Sequence, residues 1–274
     1  MKLLDNTDFG PYACGFILGT VESTFAQPFW TILQTQLRGE SPPLSLGALY
    51  KGYLADVMSI APAMAMQIGV NSSLQRVITP QTDDSIMPYC IASISGVSSA
   101  AVSCPTEMIK TQQQRHNMRL LRVLNSIFSH SGATAFFRGI APVAARESVT
   151  APCLLVLHPS LVKSISTIDW INALPGQMPL YVSYALATGL SATAAALLTQ
   201  PIERIRSVQQ YTLRNTSIFE ATKEIIASRK TSEKMVMQVF YRGLLARLPL
   251  LCVSLAVMGF QQFVLEPDNN TLTY

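Results

Sequence analysis

Residues 105–114, Pro-Thr-Glu-Met-Ile-Lys-Thr-Gln-Gln-Gln, limit the possible folds more than any other stretch. They follow an uncharged, small-residue run at 91–104 that suits a bilayer. A proline there removes one helical hydrogen bond and bends the helix. Glu107 and Lys110 then share a helix face, at a depth where a lone charge is costly. The pattern recurs as Gln200-Pro201-Ile202-Glu203-Arg204-Ile205-Arg206, with Gln114 and Gln210 each nine residues after the proline. A third, worn copy stands first, Gln27-Pro28-Phe29-Trp30-Thr31-Ile32-Leu33, with Trp30 and Leu33 in the acidic and basic places.

A water-soluble chain of 274 residues needs more charge than this one carries: 13% of residues are charged, 49% are hydrophobic, and the mean hydropathy is +0.29. Uncharged runs near 91–104 and 182–198 suit spanning helices of roughly 20 residues. Six hydrophobic segments follow in order, at about 12–32, 53–77, 87–109, 140–162, 179–205 and 244–264. The first, third and fifth end in the proline motif. Each is followed by a polar connection and an aromatic-basic-glycine triplet: Tyr50-Lys51-Gly52, Phe137-Arg138-Gly139 and Tyr241-Arg242-Gly243. The unit of helix, kink, connection, triplet, helix thus occurs three times. Gly15 and Gly19, and Ala92 and Gly96, stand in register before their prolines, where small residues four apart let helices approach closely. The fifth segment has Thr188 and Ala192 in those places.

Fifteen of the 20 Lys and Arg fall in the three connections, which puts these on the inner side and both termini opposite. Residues 115–131 and 217–230 mix apolar and basic residues at helical spacing, as surface helices on anionic lipid do. A net charge of +4 without a dense basic cluster gives no nucleic-acid partner. The five cysteines and three histidines lack ligand spacing, and no phosphate-loop or catalytic signature appears. Neither enzyme chemistry, a metal nor a cofactor is expected. The first eight residues resemble neither a presequence nor a signal peptide, so any organelle address is expected to be internal.

The repeated proline motif together with the triplets resembles the mitochondrial carrier family over nearly the whole chain. The resemblance implies an all-α membrane protein of six transmembrane helices, arranged as three pseudo-symmetric two-helix repeats (residues 1–80, 81–172 and 173–274), with short surface helices in the inner-side connections. It also implies a multi-pass monomer of the mitochondrial inner membrane that moves a solute by alternating access between two gates. Carried over, the inner gate comprises Trp30, Glu107, Lys110, Glu203 and Arg206, braced by Gln114 and Gln210. Glu107 should meet Arg206, Lys110 should face Trp30, and Glu203 should face Leu33, where no base exists. The outer-gate pattern is largely missing, with Ser72 and Gln75, Pro159 and Val162, and Gln262 and Leu265 in its places. The substrate places, counted from the triplet glycines, are Ser59, Ala63, Arg146, Thr150 and Ser254, with Gln67 and Glu147 beside them. Arg146 is the expected anchor for a carboxylate or phosphate.

The Arg146-Glu147 pair favours an anionic or zwitterionic substrate of amino-acid type. The diverged pattern is similar to nucleotide carriers that intracellular bacteria deliver into host mitochondria, and an adenine nucleotide is the first expectation. An amino acid or other carboxylate is the alternative, and a non-transporting carrier-fold scaffold is the alternative of another class. Weak outer-gate residues imply one-way transport beside exchange.

Overall fold

A computed structural model describes residues 9–38, 41, 45–50, 52–78, 85–116, 120–211, 216–227, 240–241 and 243–265. Among them there is no strand. The long helices are α1 (Gly10–Arg38), α3 (Tyr53–Ile78), α4 (Met87–His116), α6 (Ile140–Pro152), α7 (His158–Ser166), α9 (Met178–Tyr211) and α11 (Leu244–Leu265). Short helices α2 (Leu46–Leu49), α5 (Leu120–Ser131), α8 (Asp169–Asn172) and α10 (Ile218–Ala227) lie between them. The surface helices expected near 115–131 and 217–230 correspond to α5 and α10.

A π turn, Cys153–Leu157, joins α6 to α7, so the expected single helix at 140–162 is one rod with an irregular middle. Pro152 and Pro159 flank this turn and cannot donate to the carbonyls four residues before them, which loosens the regular ladder. Counted this way, six long rods pack in a closed ring. α1 packs on α3, α3 on α4, α4 on α6, α6 and α7 on α9, α9 on α11, and α11 on α1. Among the described residues, three rods are both long and apolar enough to cross a membrane, Met87–Gln113, Ala133–Ser166 and Met178–Tyr211. α1, α3 and α11 have the length, at 29, 26 and 22 residues.

The proline and triplet motifs are joined by a hydrogen bond that the sequence did not reveal. Each helix runs on through its proline, Pro28, Pro105 or Pro201. The missing N–H leaves the carbonyl four residues back without its helical donor. For Pro28 that carbonyl is Thr24, and the Tyr50 hydroxyl donates to it at 3.1 Å. For Pro201 it is Leu197, and the Tyr241 hydroxyl donates at 3.2 Å. The aromatic of the triplet thus repairs the helix broken by the motif. Phe137, in the middle copy, has no hydroxyl to do so. The three triplet glycines have φ of 88°, 80° and 86°, a left-handed conformation natural to glycine, and they turn the chain into the next helix.

The small residues of α1 are pressed against α3. A Cβ on Gly15 would lie 2.7 Å from the Met64 carbonyl oxygen, and one on Gly19 would lie 2.5 Å from the Ala61 Cα. Gly96 is similarly tight, 2.9 Å from the Ala151 Cβ on α6. Because the obstacle at Gly19 is backbone, Gly19→Leu should cost at least roughly 1–3 kcal/mol. A lowered melting temperature in detergent is the expected result; an unchanged one would mean that α1 and α3 do not pack this way.

Candidate substrate site

The ring encloses a cavity of about 140 Å³. Its wall toward the connections is charged. Glu107 on α4 accepts a hydrogen bond from Arg206 Nη1 on α9 at 3.1 Å, the contact that the family resemblance implied. Arg206 also holds Glu203, one turn earlier, through Nε at 3.0 Å and through Nη2. Arg206 Nη1 donates to Gln210 as well. Both arginines join the same carboxylates, because Arg146 reaches across from α6. Its Nη2 donates to Glu107 at 2.7 Å, its Nη1 to Glu203 at 3.0 Å and its Nε to Glu147 at 3.0 Å. Arg146 is therefore the centre of a carboxylate cluster. In this state it cannot grip a substrate without releasing an acid. Glu203, expected to face only Leu33, is instead held by two arginines.

Lys110 forms an ion pair with Asp56 of α3 and stands 4.1 Å above the Trp30 ring, which the family resemblance implied it would face. The guanidinium of Arg206 lies 5.4 Å from the same ring. Leu33 is fully buried beside Trp30 and Ala246. Gln112 Nε2 donates to the Gln210 carbonyl at 2.6 Å, joining α4 to α9 beyond the charges. The side chains of Gln114, Gln262 and Leu265 lie outside the described residues.

The expected substrate places line the cavity, with Ser59, Ala63, Gln67, Arg146, Glu147, Thr150 and Ser254 all on its wall. Ser59 accepts from Thr106 at 2.7 Å, Thr150 donates to the Arg146 carbonyl at 2.9 Å, and Ser254 donates to Glu22. Gln67 Nε2 is buried without a hydrogen-bond partner among the described residues. On the side away from the charges, Leu18, Met64, Ile68, Leu154, Leu251 and Leu255 pack in one apolar cluster.

Three charged wall residues were missed by the sequence analysis: Glu22, Asp56 and Arg247. A signal existed for each, namely an ionisable residue inside an apolar run, which marks a functional position in a membrane. Asp56 and Arg247 have a second signal. Each stands four residues after its triplet glycine and donates the first helical N–H to that glycine's carbonyl, so they occupy equivalent levels.

The sequence profile described as mitochondrial carrier protein matches residues 81–166, which include the Pro105 motif. The chain is 25% identical over 210 residues to the mitochondrial RNA-splicing protein MRS4 of Saccharomyces cerevisiae, covering 73% of this chain and 66% of that one. It is 24% identical over 172 residues to the mitochondrial glutathione transporter SLC25A39 of Mus musculus, covering 60% and 46%. Residues 81–166 match the mitochondrial carrier family, and the chain is similar to these two relatives over 73% and 60% of its length. It is accordingly an all-α, multi-pass protein of the mitochondrial inner membrane. The alignments span 66% and 46% of these two relatives, so their whole-protein activities are not carried over directly.

Proposed function

We propose that this carrier moves a small organic solute across the mitochondrial inner membrane by alternating access, and that the solute is a zwitterion of amino-acid or short-peptide type. One observation carries the reading: the cavity's charges are nearly balanced. Five carboxylates (Glu22, Asp56, Glu107, Glu147, Glu203) meet four cations (Lys110, Arg146, Arg206, Arg247) in and beneath its wall. Among the described residues, every cation of this set except Arg247 already has a carboxylate at ion-pair distance. A nucleotide polyphosphate would bring several negative charges to a site with one uncommitted cation, so the adenine-nucleotide expectation becomes the second reading. A zwitterion adds no net charge to a low-dielectric cavity. The glutathione named in one relative, with one ammonium and two carboxylates, carries a net charge of only about −1 at neutral pH. In this reading Glu107, Glu203, Arg146 and Arg206 form the inner gate, and the structure is of the state closed toward the connections. The three units 1–80, 81–172 and 173–274 act as pseudo-repeats around one site.

A scaffold that moves nothing has no need of polar atoms buried without partners, yet Gln67 Nε2, Asp56 Oδ2, Trp30 Nε1 and Ser103 Oγ are so placed on the wall. Buried polar groups are normally satisfied, and a bound solute would satisfy these.

The test is uptake into liposomes of labelled amino acids, glutathione and adenine nucleotides. Zwitterion uptake is expected to exceed nucleotide uptake; uptake of nucleotides alone would overturn the substrate class, and no uptake from a folded protein would favour the scaffold. The outer-gate places lack ion-pair residues, so empty liposomes should fill at a rate within about tenfold of preloaded ones, since each factor of ten needs only about 1.4 kcal/mol of barrier. Uptake that depends strictly on preloading would refute this.

A further inference from the structure

Glu22 lies inside the apolar part of α1, six residues before Pro28. An acid at that depth is costly unless a partner meets it, and its neighbours on the helix supply none. The Ser23 and Thr24 hydroxyls donate to the Gly19 and Thr20 carbonyls of their own helix. Glu22 is 8% exposed and lines the cavity. Among the described residues its one hydrogen bond comes from the Ser254 hydroxyl on α11 to Oε1, so Oε2 accepts nothing. The ion pairs of the cavity are all made by other acids among those residues.

The charges on the surrounding helices do not neutralise it. Asp56 on α3 and Glu147 on α6 repel its carboxylate, and Lys110 on α4 attracts it. Lys110, however, is paired with Asp56. Arg146 is divided among Glu107, Glu147 and Glu203, and Arg206 between Glu107 and Glu203. Arg247 on α11 is drawn to Glu203 and Glu147. The short helix α2, which also packs on α1, carries no titratable residue. Five acids against four cations leave one negative charge over, and the pairing leaves it at Glu22. A second acceptor on the same wall is idle. Asp56 is 1% exposed, and its Oδ2 has no hydrogen-bond partner among the described residues.

We propose that Glu22 is the seat for a second ammonium group of the solute, so that the carrier takes a dibasic amino acid, of net charge about +1 at neutral pH, ahead of a neutral one. This rests on the amino-acid reading above and narrows it. The solute's α-ammonium and carboxylate cancel each other. Its second ammonium cancels Glu22 and brings the filled cavity to neutrality. An ammonium also brings three donors to a wall where Glu22 and Asp56 each keep an unused oxygen. A metal ion suits the wall less well, because no three His, Cys, Asp or Glu among the described residues converge to hold one.

The experiment is ligand protection of the purified, detergent-solubilised full chain against thermal unfolding. The ligands are lysine, norleucine, Nε-acetyllysine and 2-aminoadipate, with ATP as a control. The four amino acids share one end and differ at the other. Lysine should bind at least about tenfold more tightly than each of the other three. Glu22→Gln keeps the shape and an acceptor for Ser254; it should weaken lysine about tenfold and leave norleucine unchanged. Without ligand this variant should melt no lower than the wild type, because an uncompensated buried charge is gone. A lower melting temperature would show that the fold itself holds the Glu22 charge, and equal binding of lysine and norleucine would show no seat for a cation. Either result overturns the proposal. Equal liposome uptake of lysine, norleucine and 2-aminoadipate would leave the amino-acid reading intact and remove the seat. Norleucine uptake driven by an acid exterior in the wild type and not in Glu22→Gln, with no preference for lysine, would assign Glu22 to a proton and likewise overturn the proposal. Protection by ATP alone would remove both readings.

Discussion

Replacing Arg146 with methionine should leave the carrier largely unable to hold its fold in detergent. This one guanidinium meets Glu107, Glu203 and Glu147, and its side chain is almost wholly buried. Methionine keeps most of the volume and removes the charge. Arg206 remains, but it cannot neutralise the three acids alone, and it lies beyond contact with Glu147 in this arrangement. Breaking a buried pair from one side typically costs about 3–5 kcal/mol, because the remaining charge stays desolvated. Here several carboxylates are affected, so the loss should fall at the upper end of that range. Arg146→Lys should recover only part of it, since one ammonium cannot present the guanidinium's forked donors to three acids. A second variant checks the cause. Arg146→Met with Glu203→Gln leaves Glu107 paired with Arg206 and removes the most deeply buried surplus acid, so it should be more stable than Arg146→Met alone. If the double variant melts lower still, the cluster is not held by charge.

How much of this was legible in the sequence depended on where the periodicity was strong. The long apolar segments and the proline motifs placed the six rods, because a helix is the simplest way for a lipid-exposed chain to satisfy its backbone. The pairings of Glu107 with Arg206 and of Trp30 with Lys110 came from the family resemblance, and they are seen in the structure because each motif fixes its residues on one helix face at equal depth. Arg146 was singled out, but not what it does. Its partners sit on two other rods, and only the closed ring brings Glu107 and Glu203 to the same guanidinium. Asp56 and Arg247 were missed because positions were counted seven and eleven residues from the triplet glycines, and the level at four was not examined. The Tyr50 and Tyr241 bonds to Thr24 and Leu197 were also unforeseen, since the aromatic of the triplet was read as a marker and not as a hydroxyl. The π turn at 153–157 left a trace in Pro152 and Pro159, two prolines within one apolar run.

The second large effect separates the two kinds of ion pair in the cavity. Among the described residues, Asp56 and Lys110 have each other as their partners at ion-pair distance, whereas Glu107 and Arg206 are tied into a four-residue knot with Glu203 and Arg146. Each single reversal, Asp56→Lys or Lys110→Asp, places like charges together and should cost roughly 3–5 kcal/mol. The double reversal should restore most of that, measured as a double-mutant cycle on the melting transition. Recovery should stop short by about 0.5–2 kcal/mol, since the moved ammonium no longer sits over the Trp30 ring. The same operation on Glu107 and Arg206 should fail. An arginine at 107 would face Arg146, and a glutamate at 206 would lie beside Glu203, so the double reversal creates two repulsions in place of the pair it rebuilds. It should be no more stable, and no more active in uptake, than the worse single variant. A Glu107/Arg206 reversal that recovers like the Asp56/Lys110 one would show that Arg146 and Glu203 do not share those partners, and that the knot is two independent pairs.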